Sequence, residues 1–176
     1  MKPVFLILYF SFTLTAIGQT VPDNEPKGTF HIAMACDDSG FTNKAEAKNL
    51  KVNGLKEGKW IEYFNSERKN IDNNVGAVYY CLAMYNAGKP CGLQRYYQMN
   101  GILREITPMN NGKRNGIVKD YYENGKILGT FPFKDGKIEG VVKTYYENGK
   151  LKSEETNIND SVVATRSYDK NGNEIK

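Results

Sequence analysis

A 24-residue period runs through most of this chain and constrains its fold more than any other feature. The pairs Gly88 and Gly92, Gly112 and Gly116, and Gly136 and Gly140 recur at one interval, and Gly101, Gly125 and Gly149, each preceded by Asn, keep the same step. Tyrosine follows it at Tyr97, Tyr121 and Tyr145, with Tyr122 and Tyr146 beside the last two. An earlier copy begins at Gly54 and Gly58 and continues through Trp60 to Tyr63 and Phe64, set off from the next copy by ten extra residues. A degenerate copy ends at Asp169-Lys170-Asn171-Gly172, one residue out of register.

Each unit reads as a hairpin. In residues 140–150, β-branched and aromatic residues precede Asn148-Gly149, a pair that signals a tight turn because both residues accept positive φ. The next turn is expected at the Gly pair, as in Asp135-Gly136-Lys137-Ile138-Glu139-Gly140. Two turns per period leave about eight residues per strand and no room for a helix. Along a strand, Ile117, Lys119 and Tyr121 face one way, and Val118, Asp120 and Tyr122 the other. Neither face is wholly apolar. The expected fold is therefore all-β: an elongated antiparallel meander of repeated hairpins, twisted and largely single-layered, with tyrosines of successive hairpins stacked in rows.

The units G-K-x-x-G-x-x-x-x-Y-Y-E-N-G-K at 112–126 and 136–150 resemble the bacterial variant of the MORN repeat, and the resemblance extends over about 45–176. It implies an elongated β-hairpin sheet and binding rather than catalysis. Many members of that family are antitoxin-like components of toxin–antitoxin systems. No catalytic residues carry over, only turn glycines and tyrosine positions as scaffold.

The ends read as follows. Residues 1–18 have a basic start, an uncharged apolar stretch too short to span a bilayer, and small residues at Ala16 and Gly18, the pattern of a secretory signal cleaved before Gln19. Export conflicts with a cytosolic antitoxin and leaves the mature chain without a transmembrane segment, in a periplasm, on a surface or outside the cell. Residues 19–28, with Pro22 and Pro26, read as a flexible lead-in. Residues 29–53 read as cap strands, with 45–52 in a strand slot and 29–36 pairing beyond it; 54–159 hold the repeats, and 160–176 the worn last unit. The insertion at 68–85 is more apolar than its counterparts and reads as a core strand, with a partner-binding patch as the alternative. An oxidising compartment permits one disulfide among Cys36, Cys81 and Cys91, and spacing does not choose the pair.

Catalytic patterns are thin. Asp38 lies in an Asp-Ser-Gly tripeptide like that of aspartic proteases, but reads as part of a turn. The single His31 lies five residues before Cys36, on the opposite face of an expected strand. Alternate oxygen ligands at 169–174 resemble half a calcium loop without its closing Glu, and read as an Asn-Gly turn. No phosphate-binding loop, zinc spacing or nucleophile elbow is present. A net charge of +4 with interspersed signs gives no phosphate-tracking block, so nucleic acid is not an expected partner. We expect no enzyme, no cofactor and no metal.

The expected role is a scaffold for an unidentified protein partner in the cell envelope, with Trp60, Tyr63, Tyr97, Tyr121, Tyr122, Tyr145 and Tyr146 as binding candidates. Glycan or lipid-headgroup binding through the aromatic rows is the alternative. One Trp among 12 Tyr favours protein over sugar. An antitoxin-like role is the third reading.

Overall fold

The computed structural model describes Cys36 and residues 39–175, within one compact unit, Ala33–Lys176. The expected signal segment, the lead-in, the strand over 29–35, His31 and Asp38 lie outside the described residues. After a single 3-10 turn, Lys44–Glu46, come β1 (Leu50–Val52), β2 (Leu55–Phe64), β3 (Asn70–Ile71), β4 (Tyr79–Asn86), β5 (Lys89–Gln98), β6 (Leu103–Asn110) and β7 (Lys113–Arg114). The chain continues with β8 (Gly116–Tyr121), β9 (Ile127–Lys134), β10 (Lys137–Ile138), β11 (Gly140–Tyr145), β12 (Leu151–Ile158), β13 (Ser161–Tyr168) and β14 (Glu174–Ile175). All pair antiparallel in one open sheet, ordered β1-β2-β4-β5-β6-β8-β9-β11-β12-β13-β14, with β3, β7 and β10 as short side pairings on β2, β6 and β9. The all-β hairpin meander expected from the period is the observed fold. The strand expected over 45–52 is shorter: Asn43 Oδ1 accepts from the Ala45 N–H at 3.0 Å and caps the 3-10 turn, Lys48 and Asn49 N–H both donate to the Lys59 carbonyl, and the regular ladder starts only at Leu50.

Two turn types alternate, and the tighter one is not at the Asn-Gly pairs of the period. Both residues have positive φ at Asn53-Gly54 (50° and 78°), Ala87-Gly88 (48° and 76°), Asn111-Gly112 (49° and 86°), Asp135-Gly136 (51° and 90°) and Asn159-Asp160 (48° and 67°). These are two-residue primed turns, whose twist matches that of the flanking strands. At Asn124-Gly125 only the glycine is left-handed, at φ 79°. There Gly125 N–H donates to the Tyr122 carbonyl at 3.0 Å and Lys126 N–H to Asn124 Oδ1 at 3.0 Å. Asn124 serves through its side chain, in a wider loop that ends in a glycine bulge. The loop at Asn148-Gly149 repeats this geometry.

The second glycine of each pair is not part of the turn. Gly116, at φ 122°, sits where the register moves by two residues between Met109↔Arg114 and Ile106↔Lys119. A Cβ there would lie 3.0 Å from Pro108 Cγ. Such irregularities bend a strand and raise its twist.

Neighbouring hairpins are tied at their turns. Gly88 N–H donates to the Lys56 carbonyl at 2.9 Å, Gly112 to Pro90 at 2.9 Å, Gly136 to Arg114 at 2.8 Å and Asp160 to Ile138 at 3.0 Å. In each case the acceptor is the second residue after the preceding primed turn. At the opposite loops, Tyr122 Oη donates to the Tyr145 carbonyl at 2.7 Å and Tyr146 Oη to that of Tyr168 at 2.8 Å. The expected rows of stacked tyrosines are thus replaced by hydroxyl-to-backbone links. Among the described residues the ring pairs are Tyr80–Tyr97, stacked at 5.0 Å, Phe64–Tyr96 and Trp60–Tyr85, all near the start of the sheet.

The two faces differ. One carries Ile61, Tyr63, Tyr80, Leu82, Met84 and Tyr97, covered by Cys36, Phe41 and Ala47 of the N-terminal segment. Farther on, the same face follows the register through Ile106, Lys119, Thr130, Lys143, Glu154 and Arg166 and becomes polar. The apolar core therefore sits at β4 and β5, where Cys81, Leu82 and Ala83 have no exposed surface. The disulfide Cys36–Cys91 fastens the covering segment, and Cys81 is a buried free thiol. Gly40 lets that segment approach β5 closely, since a Cβ would meet the Leu93 carbonyl oxygen at 2.3 Å. At the other end Val162 and Val163, on opposite faces, are each 56 % exposed, as expected of a single layer.

Two outcomes follow from these contacts. Ala87 occupies a left-handed position that costs an L-residue about 1 kcal/mol, so Ala87→Gly is expected to raise the unfolding free energy by about 0.5 kcal/mol or more in urea titration. Cys36→Ser removes a cross-link across 55 residues and is expected to cost about 2–4 kcal/mol, with loss of the near-ultraviolet dichroism of the Tyr80–Tyr97 stack.

Candidate functional site

The other face carries a polar row that crosses the sheet. Register pairs place Glu62 beside Cys81, Cys81 beside Tyr96, Tyr96 beside Glu105, Glu105 beside Asp120 and Asp120 beside Gly129. Direct cross-strand partners share a face, so three carboxylates and a thiol lie in one line. Glu105 is 8 % exposed. Charges buried to this degree require partners.

Those partners differ along the row. Glu62 is paired with Lys56 and accepts from Tyr85 Oη at 3.0 Å. Burial, with Glu62 next in importance, pushes the Tyr85 hydroxyl far up and keeps it a neutral donor. The same causes push up the Cys81 thiol, which removes it as a nucleophile. Glu105 accepts from Thr107 Oγ1 and lies 3.5 Å from Arg68 Nη1. The Asp120 carboxyl makes no hydrogen bond or ion pair among the described residues. Burial and then the neighbouring Glu105 raise its carboxyl to about 6, against the pull of Arg68, Arg114 and Arg104.

A cavity of about 200 Å³ is lined by Glu105, by Phe64, Tyr79 and Tyr96, and by Arg68, Arg104 and Arg114; Asp120 is not in its lining but stands beside Glu105 on the next strand. Each arginine arrives by a local irregularity. Arg68 has φ 57° in the loop between β2 and β3. Arg104 is the unpaired residue of a bulge, since Tyr96 pairs with Glu105 and Tyr97 with Leu103. Arg114 sits in the two-residue extension after the Asn111-Gly112 turn. Sheet twist brings the Phe64 ring to 5.8 Å from Tyr96, two strands away.

The residues singled out from the sequence are distributed differently. Trp60 is 8 % exposed, and its indole N–H donates to the Leu50 and Glu57 carbonyls at 3.1 Å each. Tyr63 and Tyr97 pack against the apolar core, while Tyr121 and Tyr145 are half-buried at strand ends. Tyr122 and Tyr146 are half-buried with their hydroxyls bonded to the next repeat. Gly88, Gly112 and Gly136 close primed turns, Gly101, Gly125 and Gly149 close the wider loops, and Gly92, Gly116 and Gly140 sit at left-handed positions four residues beyond the primed turns. The sequence reading missed Arg68, Arg104, Arg114, Glu105 and Asp120. Their signal is a break in the period: at the same step Glu105 corresponds to Gly129 and Ser153, and Asp120 to Tyr96 and Thr144.

Asp120 holds its proton more tightly folded than unfolded, so its contribution favours folding at low pH and is lost as pH rises from about 4 through about 6. Asp120→Asn is therefore expected to be more stable than the parent at pH 7.5, by about 1 kcal/mol given the solvent that reaches the site. Melting curves of the two proteins should converge near pH 4.

Among the described residues no helix is long and apolar enough to cross a membrane, and no cluster of three metal-ligating side chains occurs. No curated protein and no solved structure matches the chain. Two stretches of the chain, residues 114–135 and 138–159, match the family model of the MORN repeat variant; such repeats are generally protein- or membrane-interaction modules, and theirs is not an enzyme family.

Proposed function

We propose that this protein is an exported, non-enzymatic scaffold that binds a protein partner in the cell envelope through the arginine and aromatic face around Glu105. The observation that carries this reading is the pocket itself: Arg and Tyr, the side chains that dominate binding hot spots, converge there from β4, β5, β6, β7 and the loop after β2. Its 200 Å³ suits one side chain or chain end better than a sugar ring pair. Glycan stacking draws less support, because the single Trp60 is buried with its N–H committed. An antitoxin-like role would require the chain to remain in the cytosol.

Capture from envelope extracts tests the reading. The mature chain, with an intact mass beginning at Gln19, should retain one protein reproducibly. Arg114→Ala should lower that recovery by at least about fivefold with unchanged far-ultraviolet dichroism. Recovery of glycan or lipid alone, or of an unprocessed cytosolic product, would overturn it.

A further inference from the structure

Arg114 is the least committed cation near the buried Glu105 and the half-buried Asp120. Its guanidinium carbon lies 5.2 Å from the centroid of the Phe133 ring, and among the described residues it makes no side-chain hydrogen bond or ion pair. Arg68 spends one contact, at 3.5 Å, on Glu105 while its side chain stays 71 % exposed, and Arg104 spends one, at 3.4 Å, on Glu123. Each guanidinium has five donors in a planar fork suited to a carboxylate. Most of these donors are unspent. Three arginines and one acid, Glu105, line the cavity, and with Glu123 on Arg104 the balance stays positive while Asp120 is neutral, so the cavity favours an anion over a cation, and its walls of Phe64, Tyr79 and Tyr96 favour an anion carried on an apolar or aromatic group.

We propose that this pocket is a receptor for a carboxylate on the partner, held by Arg114 and Arg68 with Arg104 beside them and the adjoining apolar atoms against the aromatic walls. The assignment rests on the protein-scaffold reading and specifies its chemistry. A carboxylate matches the flat guanidinium fork bidentately, which is the geometry these side chains reward most.

Protonation tunes the site. The charged groups facing Asp120 are Glu105 and Arg104 from β6, Arg114 from β7 and Arg68 from the loop after β2; opposite it on β9, Gly129 contributes no charge. Ionised Asp120 competes with a ligand for the same guanidinium field. Its neutralisation near pH 6 leaves that field to the ligand. Binding should therefore tighten as the medium becomes mildly acidic, while the ligand carboxylate stays ionised.

The test uses the mature chain and small probes, followed by NMR titration of arginine Nε–Hε and backbone amide signals. Phenylacetate should shift the Arg114 and Arg68 signals saturably, and about threefold more tightly at pH 5.5 than at pH 7.5. Arg114→Ala should weaken it at least about fivefold, phenylacetamide should leave the signals in place, and Asp120→Asn should bind at pH 7.5 as the parent does at pH 5.5. A free-acid peptide with an amidated internal Glu neighbour, compared with a C-terminally amidated peptide containing Glu, separates a chain end from an acidic side chain as the source; binding of either supports the assignment. It fails if phenylacetate leaves the arginine signals unmoved, if inorganic phosphate binds at least as tightly at pH 5.5, or if the pH dependence persists in Asp120→Asn. Failure of the probes with partner capture intact removes the carboxylate assignment alone, whereas probe binding without capture removes the scaffold reading.

Discussion

Antiparallel hairpins can meander indefinitely only if each turn both reverses the chain and hands the sheet on to the next strand with the same twist. In this protein the primed two-residue turns meet both demands. Their paired left-handed residues match the strand twist, and the amide of each second residue reaches back 2.8–3.0 Å to a carbonyl beside the preceding turn. The same bond recurs from Gly88 to Asp160, so the period in glycine reflects backbone geometry at one edge of the sheet. At the other edge the restraint comes from side chains, through the hydroxyls of Tyr122 and Tyr146. Asp160 stands where the period calls for glycine, and it keeps the bond because Asp tolerates positive φ; its carboxylate also accepts from Ile138 N–H at 2.7 Å.

A single layer stabilised by neighbours has no natural core, and the chain supplies one locally. Residues of β4 are apolar on both faces, and one of those faces is closed by Phe41 and Ala47 under the Cys36–Cys91 link. This concentrates hydrophobic stabilisation where the period is interrupted, and leaves the later repeats to depend on ladders, turn bonds and ion pairs such as Lys143–Glu154 at 3.0 Å. Exposed pairs of that kind contribute little each. Nearest-neighbour stabilisation then makes the first units the anchor for those that follow.

The sequence discloses features that repeat and conceals those that occur once. Gly112, Gly136, Gly125 and Gly149 could be assigned to turns from spacing alone, but Gly116 and Gly140 lie beyond the turns and the turn types are the reverse of those expected: Ala87-Gly88 and Asp135-Gly136 make the primed turns, while Asn124-Gly125 makes a wider loop. Propensity ranks Asn-Gly first for a primed turn, yet loop length and strand register decide, and neither is visible in a dipeptide. Tyrosine gave a similar result. Its periodicity was evident, but whether Tyr122 stacks on a ring or bonds to a carbonyl depends on sheet twist. The cysteine pairing depends on where Cys36 and Phe41 meet β4 and β5, a non-local contact that no spacing encodes.

The candidate site escaped for the same physical reason, and its position follows from it. A repeat that stacks identical units places identical residues opposite one another, which for Glu105 and Asp120 would mean row upon row of buried and half-buried carboxylates. Like charges opposite one another are destabilising. The copies that follow avoid this: Gly129 stands in the Glu105 position, and Thr144 bonds to Ser153 at 2.7 Å where a second acidic pair would fall. Apart from Glu62, which Lys56 neutralises, acid therefore survives in this row only at Glu105 on β6 and Asp120 on β8, near Arg68, Arg104 and Arg114, each delivered by an irregularity that the other copies lack or fill with other residues. A buried charge pair of this type is weak evidence for stability, since an apolar or neutral row, as in the later repeats, builds the same sheet at lower cost. The departure from the repeat is what singles out the face as the candidate site: the sheet needs Gly136 and Tyr146, whereas nothing in its construction needs Asp120.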